Sequence, residues 1–560
     1  MSQPGVGGVS YSENMSGNTR RSSWSESSTN HIKADVIILG CSLPGFVTAH
    51  KLKKKFGDTM DIVVLDLTGK EVGGSKCNVA FVDEDEEKDK ENAYKNTAQK
   101  VLDTVGRRYI TVYAKEFKIP LPEAIMTPDK VKSPLNKLFE YSTGGTVDCT
   151  QDFHDFDYLN IFESFELNRY QTLLDQSMRN LFQSNSIDNV SERKQMMYFD
   201  QTTMEKHICN ELIFSNSKDI MRNMVRLVCG APANVVSVLF YLYQCYRTSS
   251  TRNHLDGDNI KMREKLLGHC RKRIANKLQK SLANITMPAK SISKISTYSN
   301  EQVILKTLKG DQNYVCNLLA MAIKPDELRN IEVEARLLYN NEIAITSEMK
   351  KGKSKKFLIQ YKESFWKRFG YSGDILSVRG PILWATERPD LSLTGSLEKY
   401  AALIGFLRVK ENDEDDSKEA VIKQLVRLFG EDAATPVSYR ETEIADVYIP
   451  RCGDFIGLRL LTGKTKPSFL EWGALDVFAD GDLAAALEAG HTTYLHLMRC
   501  LRPQAQTYED VSIADWPTMF NDNPFKIWFA QVTLKRSVSL MFYTAAAYIG
   551  MRLIQNYMRK

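Results

Sequence analysis

The ten cysteines of this 560-residue chain include no Cys-x-x-Cys pair and lie scattered from Cys41 to Cys500. The ligand spacing of a zinc site is therefore missing, and so is the clustering of a disulfide framework. Reduced thiols in a cytosol-facing protein are expected, with no metal. A block of one charge is missing too. Lys+Arg 74 against Asp+Glu 69 leaves a formal net charge of +5, and with no dominant basic run there is no ground to expect a nucleic-acid partner. No apolar segment follows the first methionine, so a secretory signal peptide is not expected. Residues 1–32 are rich in Ser, Asn and Gly and almost free of aliphatics. Such a tail cannot bury enough apolar surface to offset its ordering entropy and is expected to be disordered. The chain as a whole is 43% hydrophobic and 26% charged, ample for a large core or two.

What is there begins with Asp35-Val36-Ile37-Ile38-Leu39-Gly40-Cys41-Ser42-Leu43-Pro44-Gly45, followed by Asp61-Ile62-Val63-Val64-Leu65-Asp66. A buried strand, a tight glycine turn, a helix and a second buried strand ending in an acid make the opening βαβ unit of a dinucleotide-binding fold. Gly40 and Gly45 take the first and third glycine positions of that turn. Ser42 stands at the second, adding a side chain where backbone and pyrophosphate should nearly touch, although the helix N-terminus still offers N–H groups to an anion. Asp66 lies about twenty residues past the turn, where an acid that binds ribose hydroxyls is expected.

Farther along, Val72-Gly73-Gly74-Ser75-Lys76 precedes an acidic run near Asp83 to Glu91, read as a solvated face. Residues 97–201 are mixed in pattern. From Met204 the spacing is helical, with Ile220, Met224, Leu227 and Val228 on one face, and residues 235–246 are apolar enough to be a buried helix. Residues 263–280 read as a basic amphipathic helix. Strands are expected over 303–307, 314–323, 357–361 and 401–407, and helices over 418–429 and 483–501. Near the C-terminus, residues 537–551 are uncharged and mostly apolar between flanking cations. At roughly fifteen residues this core is shorter than the ~20 that span a bilayer, but Lys535 and Arg552 can snorkel to extend it. A membrane anchor at about 537–555 is expected, in preference to a helix packed on the body.

On these residues the chain resembles the flavin-dependent monoamine oxidases over most of its body. Gly73-Gly74 is similar to that family's Gly-Gly-Arg segment. The stretches Phe199-Asp200-Gln201-Thr202-Thr203-Met204 and Val236-Ser237-Val238-Leu239-Phe240-Tyr241-Leu242 resemble its substrate-domain helices. The run from Tyr314 to Pro325 resembles its strand ending in Ala-Ile-Pro-Pro. Lys356-Phe357-Leu358-Ile359-Gln360-Tyr361-Lys362-Glu363-Ser364-Phe365-Trp366 is similar to a signature of lysine, apolar strand, then Tyr-Lys-Glu-Pro-Phe-Trp. Residues Gly481 to Gly490 resemble the family's Gly-Tyr-Met-Glu-Gly-Ala-Val-Glu-Ala-Gly helix.

The resemblance implies an α/β fold: a Rossmann-type FAD-binding domain interleaved with an α+β substrate domain, plus a C-terminal helical tail. The body would span 33–520, with FAD-binding segments at about 33–100, 263–330 and 440–505 and substrate segments at about 101–262 and 331–439; the tail would be 521–560. FAD is the implied cofactor, with Gly40, Ser42, Gly45, Asp66, Gly73, Gly74 and Lys76 on the nucleotide. Cys452 falls at about the position of the cysteine that, in members of that family, bonds covalently to the flavin. Lys356 matches the lysine that holds a water at the flavin, and Asp482 is placed to pair with a cationic amine. The departures are specific. Gly453 and Asp482 replace the two tyrosines of the family's aromatic cage. Ser75 replaces the arginine of Gly-Gly-Arg, Gly473-Ala474-Leu475 replaces Gly-Thr-Glu, and Leu267-Gly268-His269 replaces a glycine-rich approach. Two functions follow: an FAD-dependent amine oxidase with a changed substrate, or an inactive scaffold of the same fold on a membrane. The family's tail implies the mitochondrial outer membrane, with endoplasmic reticulum as the alternative. A homodimer or protein partner is left open.

Overall fold

The computed structural model describes residues 31–67, 108–119, 135–182, 190–247, 270–271, 273–289, 291–299, 302–308, 312–337, 348–352, 354–392, 399–409, 417–444, 448–462, 470–472, 483–512 and 542–552. Of the tail 1–32 expected to be disordered, residues 1–30 lie outside these, as does the acidic run, whereas His31 and Ile32 are ordered by pairing in the strand His31–Leu39.

The apolar runs Val36 to Leu39 and Ile62 to Leu65 are adjacent parallel strands, in register Val36 to Ile62 and Leu39 to Leu65. The helix Leu43–Phe56 crosses between them. Strand Asn313–Met321 pairs in parallel with the other edge of His31–Leu39, and strands Gln302–Thr307 and Ile292–Ser299 extend this first sheet antiparallel. Both faces are covered, which is why the central strands read as continuous apolar runs and not as alternation. Val36, Ile38 and Val64 pack with Phe46, Leu52, Leu487 and Met498, from helices Leu43–Phe56 and Leu483–Leu501. Ile37, Leu39, Val63 and Leu65 point the other way, into the largest core.

A second sheet runs in the order Ser438–Ile444, Ser354–Tyr361, Lys399–Leu407, Ile382–Ser392, Tyr371–Ser377, Asn136–Glu140, Thr146–Cys149. Helix Ser417–Phe429 covers one face through Val421, Leu425 and Phe429, against Phe357, Ile359 and Trp366. Trp384 and Leu376 of this sheet join the largest core, which also takes in the helices Ile161–Phe182, Ser215–Cys229 and Val238–Arg247. Two sheets and a helical layer thus close around one shared interior, the mixed α/β class expected from the sequence.

The strands expected over 303–307, 357–361 and 401–407 are present, the one expected over 314–323 runs Asn313–Met321 and so stops two residues short, and the helix expected over 483–501 runs Leu483–Leu501. The buried helix expected from residue 235 starts later, at Val238. Val236 and Val238 are held by backbone pairing with Met204 and Thr202 at 2.8 and 2.9 Å, which keeps residues 235–237 out of the helix. On helix Ser215–Cys229, Ile220 and Met224 are buried, but the buried face continues through Val225 and Cys229, and Leu227 and Val228 are only partly covered. In the basic helix, Cys270, Ile274, Leu278 and Leu282 form the buried stripe; residues 263–269 lie outside the described residues. Residues 542–552 form a helix whose Phe542, Tyr543, Ile549 and Met551 are exposed. Among the described residues no helix is long and apolar enough to cross a membrane.

Candidate functional site

The glycine turn is shaped by the strand beside it. Ala322 donates its N–H to the Leu39 carbonyl at 2.8 Å, bringing its own carbonyl against the turn. Gly40 adopts φ +107°, and a Cβ there would lie 2.4 Å from the Ala322 oxygen. A Cβ on Gly45 would lie 2.8 Å from the Gly40 oxygen. No larger residue fits either position, as the first and third glycines of a nucleotide turn require. Ser42 is the N-cap of helix Leu43–Phe56, yet its side chain makes no capping bond. Its hydroxyl donates to the Ala322 carbonyl at 2.7 Å. Pro44 is the second helical residue and is buried.

Asp66 ends the second strand beside the turn, partly exposed. Burial, reinforced by Asp66, pushes the Cys41 thiol up to about 12, so Cys41 stays protonated. Gly73, Gly74, Ser75 and Lys76 lie outside the described residues.

The lysine-rich run at 350–356 is sorted by strand register. Lys350 and Lys351 are exposed. Lys355 lies 3.6 Å from Glu441 with a third of its side chain open to solvent. Lys356, next along strand Ser354–Tyr361, alternates to the other face and is 1% exposed. Its cross-strand neighbours are Phe406 and Thr442, and its ammonium lies 5.9 Å from the Phe406 ring centre. Phe406 pairs in turn with Trp384, so the row from Lys356 leads into the shared core.

Cys452 sits in a tight turn between strand Tyr448–Ile449 and helix Phe455–Thr462. Tyr448 and Ile449 pair with Lys351 and Lys350, which joins this turn to the segment leading to Lys356. The turn is fixed by Asp200, 1% exposed. The Asp200 carbonyl accepts the Gly453 N–H at 2.8 Å, and its carboxylate accepts the N–H groups of Phe455 at 3.3 Å and Ile456 at 3.0 Å. Burial pushes the Asp200 carboxyl up to about 6, against the opposing pull of those N–H groups. The Cys452 thiol points at the Val235 carbonyl, 3.9 Å away. Burial and the charges of Asp200 and Asp454 raise its pKa, so a thiolate is disfavoured. Gly453 has φ +98°, and among the described residues a Cβ there would meet only Gln201, at 4.0 Å. The backbone conformation is one that L residues rarely adopt.

Asp482 and Gly473-Ala474-Leu475 lie outside the described residues; helix Leu483–Leu501 follows Asp482 directly. Asp152, His154 and Asp155 bring ligand atoms within 4.8 Å of one another at the surface, but Asp152 is ion-paired with Lys137. Two residues of consequence lie beyond the expected site residues. Pro44 stands in the first turn of helix Leu43–Phe56, and Asp200 lies beside Phe199 and Gln201 in a stretch that resembles a substrate-domain helix.

No family model matches the chain. It is 23% identical over 253 residues to a probable flavin-containing monoamine oxidase A of Dictyostelium discoideum, a match covering 43% of this chain and 53% of that protein. The chain therefore spans about half the length of the curated relative it matches. Among solved structures it is similar to putrescine oxidase bound to putrescine, with a TM-score of 0.61 at 15% identity over 83% of this chain and 98% of that one. It is also similar to cyclohexylamine oxidase from Brevibacterium oxydans IH-35A, with a TM-score of 0.58 at 16% identity over 83% of this chain and all of that one.

Proposed function

We infer that this chain, divergent as it is, belongs with the flavin-containing amine oxidases and acts as an FAD-dependent oxidoreductase on an amine. The observation that carries the reading is Lys356, buried to 1% exposure beside a run of lysines that face solvent. Burying an ammonium is costly unless it is paired and hydrogen-bonded, so a buried lysine is a held one, and the lysine of the resembled signature is the one turned inward. The glycine turn adds support: Gly40 and Gly45 leave no Cβ in a nucleotide cradle, and Asp66 stands beside it for the ribose.

A bound flavin supplies hydride abstraction from the carbon next to an amine nitrogen, with oxygen as the final acceptor. The chain's own residues bind and orient. Gly40, Gly45 and Asp66 hold the nucleotide, with Gly73, Gly74 and Lys76 as the expected partners of its phosphates. Lys356 holds a water against the flavin, and Asp482 pairs with the cationic substrate. An absorption spectrum of the purified protein tests this: a visible flavin band supports it, and a colourless, folded protein that takes up no added FAD overturns it.

A second reading, an inactive scaffold of the same fold, is favoured by Gly453. The position expected to hold a cage tyrosine has a backbone suited to glycine, so the aromatic slot is lost with the turn and not only with the side chain. Amine turnover by the flavin-loaded protein would exclude the scaffold reading.

The chain is further proposed to sit on a membrane through its C-terminal segment, on the mitochondrial outer membrane in preference to the endoplasmic reticulum. The support is the apolar composition of 537–551 and the exposed Phe542, Tyr543 and Ile549. Fractionation of the full chain against one ending at Asn521 tests it; a full chain found wholly in the soluble fraction would refute it.

A further inference from the structure

The first turn of helix Leu43–Phe56 is where this fold meets a nucleotide's pyrophosphate, and the unsatisfied N–H groups of that turn are what it offers. Leu43, Pro44 and Gly45 are the first three helical residues. Proline has no N–H, so one of three helical donors is missing. The neighbouring Ser42 does not replace it. The Ser42 hydroxyl is committed to the Ala322 carbonyl at 2.7 Å. The Pro44 carbonyl accepts the Thr48 hydroxyl at 2.9 Å, and that hydroxyl also reaches the Gly490 carbonyl at 2.9 Å. The turn is instead built to stand by itself. Proline pre-sets the backbone at a helix start, and Ser42 and Gly40 are both held against Ala322.

We propose that Pro44 sets the grip of this chain on FAD, making it a weak, exchangeable binder whose turn is already folded without the cofactor. The inference rests on the flavoprotein reading above and concerns the pyrophosphate end of the cofactor alone. A hydrogen bond to a charged group contributes enough that restoring one donor should tighten binding roughly ten- to a hundredfold.

The test is a titration of the full, flavin-free chain with FAD, followed by quenching of flavin fluorescence, with circular dichroism to confirm folding. Pro44→Ala restores the N–H and should lower the dissociation constant by that factor. Leu43→Pro removes a second N–H at the first helical position, where a proline ring is accommodated, and should raise it by a similar factor. Should Pro44→Ala fail to fold, Leu43→Pro carries the test. If the unaltered chain binds FAD and the folded variants bind it equally well, the role of Pro44 is overturned while the flavoprotein reading stands. If no folded form binds FAD, the flavoprotein reading falls and takes this inference with it.

Discussion

The carboxylate of Asp200 accepts the backbone N–H of Ile456 at 3.0 Å, so the last turn of helix Val190–Gln201 caps the helix that leaves the Cys452 turn. This has a pH consequence. The buried carboxyl titrates at about 6 in the folded chain, against ~3.9 for an unfolded aspartate. The folded state therefore holds the proton more tightly. The associated stability is fully present below about pH 4 and is lost as pH rises to about 6, by up to about 3 kcal/mol. Asp200→Asn keeps one accepting oxygen and removes the titration. Melting temperatures of the two proteins from pH 4 to pH 7 should differ by an amount that changes steadily across that window. Parallel curves would mean that Asp200 titrates normally.

Cys452 should not carry the flavin covalently. Its thiol is raised by burial and by Asp200 and Asp454, whereas bond formation needs the thiolate. Acid precipitation of the flavin-loaded protein should leave the colour in the supernatant, and Cys452→Ala should bind FAD as the unaltered chain does. A flavin-modified peptide containing Cys452, found by mass spectrometry, would reverse this assignment.

Much of the fold was legible because its signals are local. Val36 to Leu39 and Ile62 to Leu65 are apolar on both faces because both faces are buried, and helix Leu483–Leu501 has the bounds its pattern predicts. Helix Ile161–Phe182 was not legible, for a physical reason. Its buried face carries Glu163, Glu166, Arg169 and Gln171, and such a face looks like a solvated one until the partners are known. Glu166 accepts the N–H groups of Ile213 and Phe214, and Arg169 donates to the Glu211 carbonyl at 3.0 Å. The candidate site divides in the same way. The glycine turn is written in consecutive residues. The burial of Lys356 is not, since the lysines near it look alike until register turns Lys355 outward and Lys356 inward. The role of Asp200 depends on a partner 255 residues away.

Gly490 is the contact point of the two helices that flank the nucleotide turn. A Cβ there would lie 2.5 Å from the Pro44 oxygen and 2.6 Å from the Val47 Cβ. Neither neighbour can swing aside, one being backbone and the other a β-branched side chain locked in the core. Gly490→Ala should therefore push helix Leu483–Leu501 off helix Leu43–Phe56 and destabilise the protein by about 1–3 kcal/mol, read by urea denaturation. The better helix propensity of alanine, worth about 1 kcal/mol in the opposite direction, is already set against the larger strain in that range. An unchanged midpoint would show that the helices can separate freely.

Lys356→Met separates a functional lysine from a structural one. Methionine fills a similar volume without a charge, so it removes the ammonium and its approach to the Phe406 ring while keeping a side chain of like size. If Lys356 were kept as half of a buried ion pair, removing it would leave a partner charge uncompensated and cost about 3–5 kcal/mol. The melting temperature would then fall sharply. In either role the bonds of the ammonium are lost with it, so the rate of amine oxidation, and not stability alone, separates the two. Loss of a positioned proton-transfer group should instead lower the rate of amine oxidation by roughly 10²–10⁴. The expected outcome is a protein that stays folded by circular dichroism, with unchanged FAD binding and amine oxidation slowed at least ~100-fold. A stable, flavin-loaded Lys356→Met protein that oxidises amines at the full rate would remove Lys356 from the site.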